Sequence, residues 1–261
     1  MNIAIIGCGV MGSAFARVLS KNHTLFLSSQ NPQKLTSFAQ ELGASVGDSL
    51  SICKQADLII LAVKPKDVKQ AAEQISASCL GKLIVSMVAG ITTSSLQLLV
   101  PSAKVIRIMP NLAISFGKGV VGVVDPSDPI LQKMLLGLLE SMGLVYFMPE
   151  TKMDAFTALC GSSPAFILLM IEAMMEGGVA LGFTVDDAKQ LVVQSFAGAI
   201  ALMQHTDTHP ATLKMQIASP GGTTIAGLNE MELQGVRSGL IQTLFACYDK
   251  SVELSKSKES L

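Results

Sequence analysis

The chain opens MNIAIIGCGVMG, and this stretch restricts the fold more than any other. Residues 2–7 form a short apolar run with the content of a buried strand, and Val10–Lys21 carries a helical pattern. Between and within them Gly7, Gly9 and Gly12 keep the spacing GxGxxG. A strand that turns on glycine into a helix gathers unpaired N–H groups and the positive end of the helix dipole at one point, which suits phosphates. Gly7 permits the tight turn, Gly9 lets a pyrophosphate approach the backbone, and Gly12 lets the helix lie close to the sheet. The motif points to a bound dinucleotide at the carboxyl edge of a parallel sheet.

The following residues repeat the alternation. Apolar runs at 24–29, 58–63, 83–88 and 104–109 predict strands, and the patterns at 32–42 and 66–78 predict helices. Two more strands, 119–124 and 144–148, flank a helix at 129–141. Strands alternating with helices imply a doubly wound, mostly parallel sheet covered on both faces. Near Glu150 the character changes: helical patterns run 153–181, 185–204, 210–217 and 223–254, with no convincing strand. The fold class is therefore α/β, with an N-terminal Rossmann-type dinucleotide-binding domain over 1–152 followed by an all-α domain over 153–261. Charged residues make up 15% of the chain and hydrophobic ones 49%, whereas soluble domains carry about 25% charge. Burial between subunits accounts for the deficit, so the chain is expected to form at least a dimer.

The formal net charge is −1 with no basic run, which argues against nucleic acid as a partner. No basic region or cleavage site precedes the first strand, so no signal peptide is expected. The apolar stretch 165–183 is interrupted by Glu172, Glu176 and three glycines, and reads as a buried helix more than a membrane span. The methionines at 170–175 and at 231 read as core filling. Five scattered cysteines without a CxxC fit a reducing cytoplasm. His205 and His209 have a zinc-like spacing, but the residues around them mark a loop and no third ligand is evident, so no metal is expected.

The end of the second strand bears on the choice of cofactor. A site for NAD usually carries an acid there to bind the ribose hydroxyls. Here Ser28, Ser29, Gln30 and Asn31 stand instead, with no arginine. The missing acid favours NADPH, held by hydroxyls, amides and Lys34, and leaves NADH open. The third strand runs into Ala62, Val63, Lys64 and Pro65 at the same edge. Cys8 inside the first loop reads as a small residue that fits.

A second glycine-rich turn, Ser219-Pro220-Gly221-Gly222-Thr223-Thr224, precedes another helical run. It is a helix start with free N–H groups, suited to a carboxylate or phosphate. A Pro-Gly turn with a simple N-cap is the plainer alternative. Because the first loop already takes the phosphates, the second anion is read as a substrate carboxylate.

Taken together, GCGVMG, AVKP (62–65), SMVAGIT (86–92), VIRIMPN (105–111), ALCGSSPAF (158–166) and SPGGTTIAGL (219–228) resemble the pyrroline-5-carboxylate reductases over nearly the full chain. The resemblance implies a helical dimerisation domain, a homo-oligomer that can extend to rings of dimers, and an active site completed across the dimer. It also implies hydride transfer from NAD(P)H to the ring imine carbon of 1-pyrroline-5-carboxylate, giving L-proline in the final step of proline biosynthesis. On the same basis Gly221, Gly222 and Thr223 cradle the substrate carboxylate, the catalytic Thr224 hydroxyl meets the ring nitrogen, and Glu150 stands near the substrate. The cofactor set carried over is Ile6, Cys8, Val10 and Met11 beside the three glycines, Ser28, Ala62–Pro65, Met87, Val88, Ala89 and Gln216. The chain departs from its relatives at Gln30, Leu112, Ala113, Ser163 and Phe166.

Overall fold

A computed structural model describes residues 1–256, without the side chains of residues 32–34. The first part is an eight-stranded sheet made of β1 (Asn2–Ile6), β2 (Thr24–Ser28), β3 (Ser45–Val46), β4 (Leu58–Leu61), β5 (Leu83–Ser86), β6 (Lys104–Pro110), β7 (Gly119–Val124) and β8 (Gly143–Met148). Their spatial order is 3-2-1-4-5-6-7-8, and every neighbouring pair is parallel except β6 with β7. The helices among these strands are α1 (Val10–Leu19), α2 (Pro32–Leu42), α3 (Ser49–Gln55), α4 (Val68–Ser76), α5 (Thr93–Leu99) and α6 (Pro129–Leu139).

The central strands show no polar alternation because both sheet faces are covered. Ile3, Ile5, Leu58 and Ile60 point into one core with α1, α2 and α6. Ala4, Ile6, Ile59 and Leu61 point into a second core with α3, α4 and α5. Neither α3 nor α5 was expected from periodicity, since two turns are too short to display one. Each announces itself by its cap instead. Asp48 accepts from the Ser51 amide at 2.9 Å, and Thr92 from the Ser95 amide at 3.0 Å. The helix expected from residue 66 begins with a 3-10 turn, Pro65–Asp67, before α4.

The later helices are α7 (Met153–Phe156), α8 (Ser163–Ala180), α9 (Val185–His205), α10 (Pro210–Ile217), α11 (Thr223–Leu233) and α12 (Val236–Lys256). A π-helical turn at Thr157–Gly161 separates α7 from α8, so the pattern read as one helix over 153–181 is broken. The pattern over 223–254 is likewise two helices, because Gly235 takes φ +69° between them.

The chain forms two compact units, Met1–Gly161 with the chain from Cys247 onward, and Ser162–Ala246. In the first, Met153 and Phe156 pack with Met109 and Met148, which ties α7 to the sheet. The last turns of α12 join this unit as well: Ser251 and Ser255 donate to Asp154 Oδ1 at 2.7 and 3.1 Å.

The second unit packs α8 against α9, where a Cβ added to Gly178 would stand 3.2 Å from that of Ala188. Between Ser162 and Ala246 only Ala188 and Val192 are buried. The expectations of a buried helix over 165–183 and of core-filling methionines are therefore not met within one chain. Leu168 and Leu169 are 63% and 64% exposed, and Met174 and Met231 about half. The reason is geometric: the second unit is built of helices alone, and one chain supplies too little surface to hide them. By length and apolarity alone, the helical stretch 150–180 would suffice to cross a membrane.

Candidate functional site

The carboxyl ends of β1, β2 and β4 open on a cleft of ≈ 370 Å³. Ile6, Gly7, Cys8 and Gly9 line it from the turn after β1, Ser28 and Ser29 from β2, and Ala62, Val63 and Lys64 from the turn after β4. This is where ligands lie in doubly wound sheets.

The glycines give the cleft its shape. Gly7 has φ +98°, and a Cβ there would stand 2.8 Å from the Ala62 carbonyl. A Cβ on Gly12 would overlap the Gly7 carbonyl oxygen, so α1 starts hard against the turn. A Cβ on Gly9 would meet nothing within 4 Å, so the approach to the helix N-terminus is open. The N–H groups of the first turn, Val10 and Met11 among them, have no intrahelical acceptor. A close-packed turn below and a free amide edge above fit a pyrophosphate.

Ser28 is buried, and its Oγ lies 3.1 Å from Ser49 Oγ; Ser29 Oγ accepts from the Asn31 amide at 3.3 Å. The Lys34 side chain lies outside the described residues. Desolvation pushes the Cys8 thiol up to about 12, so it stays a neutral thiol and not a reactive thiolate. Val10, Met11, Gly12, Pro65, Met87, Val88 and Ala89 are not among the lining residues. Met87 and Val88 are buried, with their side chains in opposite cores, while Ala89 is exposed in the turn after β5. Gln216 is exposed on α10 in the second unit.

Sequence reasoning missed Ser49, Lys66, Asp67, Gln70 and Gln74, which also line the cleft. The readable signal for the last two was their spacing of four on α4, opposite the buried Val68, Ala71, Ala72 and Ile75.

Glu150 lies at the start of a 3-10 turn after β8. Its Oε1 accepts from the Thr93 amide at 2.8 Å and from Arg107 Nη1 at 3.2 Å. The Arg107 side chain is 3% exposed, and neither its Nε nor the buried Thr93 Oγ1 has a hydrogen-bond partner. Glu150 thus fastens the start of α5 to β6.

The second glycine turn is in the second unit. Gly221 takes φ +70°, and Gly222 caps α11 in an extended conformation without a side-chain bond. The Gly222 amide donates to the Ser219 carbonyl at 3.1 Å, so it is already used. The next amides, of Thr223 and Thr224, stand in the first helical turn, where the helix provides no acceptor. Thr223 is exposed and Thr224 half-buried. His205 Nδ1 is 2.9 Å from the Ala201 carbonyl, and His209 Nδ1 accepts from the Ala211 amide at 3.2 Å, so each ring is engaged with its own helix.

Comparison with known proteins agrees with this geometry. Residues 150–254 match the family described as pyrroline-5-carboxylate reductase dimerisation, and residues 2–90 the family described as NADP oxidoreductase, coenzyme F420-dependent. The pyrroline-5-carboxylate reductase of Corynebacterium melassecola is 34% identical over 97% of this chain and 98% of its own. Among solved structures, the Coxiella burnetii pyrroline-5-carboxylate reductase superposes with a TM-score of 0.87 at 28% identity, over 97% and 98% of the two chains. The Plasmodium falciparum pyrroline carboxylate reductase, solved with NADP bound, gives 0.89 at 25% identity, over 98% of both. With its dinucleotide cleft, its second glycine-rich helix start and this similarity along its whole length, the chain belongs to the pyrroline-5-carboxylate reductase family.

Proposed function

We propose that the protein reduces 1-pyrroline-5-carboxylate to L-proline, the final step of proline biosynthesis. NAD(P)H supplies the hydride, which goes to the ring imine carbon. The observation that carries this reading is the pairing of two anion-suited helix starts in one chain, one below an open dinucleotide cleft and one in the SPGGTT turn.

The residues of the cleft do positioning work. The turn Gly7–Gly12 receives the pyrophosphate, Ser28 and Ser29 face the adenosine ribose, and Ala62–Pro65 with the backbone of Met87–Ala89 border the rest of the cofactor. Gln216 on α10 is a cofactor residue by the family resemblance alone. Holding two rings face to face is the larger part of catalysis here, because a protonated imine is already electrophilic.

In the second turn the substrate carboxylate lies on the amides of Thr223 and Thr224. Gly221 and Gly222 keep the approach clear: Gly221 for its positive φ, Gly222 because a Cβ there would overlap Ser219 Oγ. The Thr224 hydroxyl meets the ring nitrogen, where charge changes during the reaction. Glu150 acts as a positioning residue, holding Thr93 and the preceding turn through its bonds to Thr93 and Arg107.

We further propose that domain 1–152 serves the cofactor and 153–261 serves assembly and substrate. The apolar face of the second unit is covered by another copy of this chain and not by a bilayer, since Glu172 and Glu176 are exposed on α8. A dimer that completes the active site across its interface is the smallest unit, and rings of such dimers are the next level. Five free cysteines and no basic cluster fit a cytoplasmic enzyme without nucleic acid as a partner.

The test mixes purified protein, NADPH or NADH, and 1-pyrroline-5-carboxylate, and follows the loss of nicotinamide absorbance. No loss with either cofactor overturns the reading. Thr224→Ala is expected to lose about 30- to 1,000-fold in kcat/KM, the equivalent of roughly 2–4 kcal/mol, with cofactor affinity intact. Thr223→Ala loses far less, because its amide remains.

A further inference from the structure

The sheet edge holds an acid that the strand-end residues do not reveal. Past Ser28 and Ser29 the dinucleotide cleft continues into a shelf walled by Val46, Gly47, Asp48, Ser49 and Leu50. The two spaces share Ser28, Ser29, Gln30, Ser49 and Gln74. In a doubly wound dinucleotide site the end of the second strand faces the ribose 2′ position. Asp48 comes from the turn after β3, one strand farther out, and lines the shelf together with Ser28 and Ser29.

We propose that Asp48 sets the cofactor preference of this protein by placing a fixed negative charge beside the ribose 2′ position, which weakens NADPH relative to NADH. This rests on the reading of the cleft as the dinucleotide site, and narrows it to the choice between the two cofactors.

Four observations support it. The side chain is held in one orientation, with Oδ1 accepting from the Ser51 amide at 2.9 Å and Oδ2 from the Ser51 hydroxyl at 2.6 Å. Those same bonds, the hydroxyl first, keep the Asp48 carboxyl below its ordinary range, so the charge is present at neutral pH. Ser28, the residue expected to greet a 2′ group, is buried with its hydroxyl directed to Ser49. Among the described residues, the cations that line the cleft, Lys64 and Lys66, lie in the turn after β4 and do not line the shelf. A 2′-phosphate there meets an aspartate and hydroxyls; a 2′-hydroxyl meets acceptors it can donate to. A carboxylate whose oxygens each use one lone pair on Ser51 still has another to offer.

The variant that isolates the charge is Asp48→Asn, because asparagine caps a helix as well as aspartate and keeps α3 in place. Fluorescence titration with NADPH and with NADH, alongside kcat/KM for each, gives the readout. Removing one charge from beside a phosphate carrying nearly two, in a solvated site, is expected to tighten NADPH about three- to tenfold, with the gain shrinking as salt rises. NADH should change less than about twofold, toward weaker binding. Asp48→Ser, another capping residue, should move both cofactors in the same directions. An unchanged NADPH-to-NADH ratio in both folded variants overturns the proposal, and so does a wild type that prefers NADPH by more than about a hundredfold. Failure of the reductase reading looks different: cofactor titrations would proceed while neither cofactor was oxidised by the substrate.

Discussion

Leu61 and Leu168 are the same residue in two regular elements of one chain. Leu61 ends a central strand and is fully buried, while Leu168, inside an 18-residue helix, is 63% exposed. The contrast extends to their surroundings. In the first unit each central strand delivers side chains to two cores, and the helices on either face close them. In the second, Ile167, Leu168, Leu169, Ile200, Leu202 and Phe245 are all exposed in the single chain. The energetics differ accordingly. Burial in the first unit is intramolecular and present at any concentration. In the assembly proposed above, burial in the second depends on mass action, because another copy of the chain supplies the cover.

The comparison can be broken most severely at the uncovered helix. Replacing Leu168 and Leu169 together by aspartate is expected to yield a monomer with little reductase activity, seen by sedimentation and steady-state assay. A double variant that remains assembled and active would show that this face needs no cover. In the wild type, the same dependence should appear as a melting temperature that rises with protein concentration. Ile60→Ala acts on the other side of the contrast. It removes a fully buried side chain from β4 and should cost about 3–4 kcal/mol in denaturant unfolding. Leu240→Ala supplies the control in the second unit. A lone chain would lose no more than about 0.5 kcal/mol there, so any larger loss measures what the partner covers.

Smaller effects sharpen the picture inside the first unit. Glu150→Ala leaves Arg107 buried without its counterion. The cost should be roughly 2–4 kcal/mol, below the value for a fully buried pair because 27% of the glutamate side chain meets water. Its signature is a poorer kcat/KM together with a weaker affinity for free NADPH, since the pair holds Thr93 and the turn before it, which borders the cofactor. Asp154→Ala removes the acceptor of two hydroxyls and should cost about 1–2 kcal/mol, seen as faster hydrogen exchange in the last turns of α12.

What was legible in the sequence was what is local. Gly7, Gly9 and Gly12 specify a turn and a helix start within a dozen residues, and the apolar runs around them need no partner to be read as strands. The family signature in SPGGTT is equally compact. The unread parts depend on distance. Arg107 and Glu150 are an ordinary basic and an ordinary acidic residue until β6 and the end of β8 bring them together. Ser49, Gln70 and Gln74 converge on one cleft from separate segments, and only the spacing of the two glutamines on α4 hints at it. Residues 165–183 were read as buried, yet one chain leaves them uncovered. The apolar pattern records the need for a partner surface without saying which chain provides it.

The bonds from Ser251 and Ser255 to Asp154 join residues about a hundred positions apart in the sequence. A ribosome releases this chain from its amino end. At about 5–20 residues per second, the aspartate waits roughly 5–20 s for the hydroxyls that will meet it. During that interval the nucleotide-binding half is already assembling, while its closing helix has yet to be synthesised. The half of the protein that begins to fold first is therefore not finished until synthesis has passed Ser255.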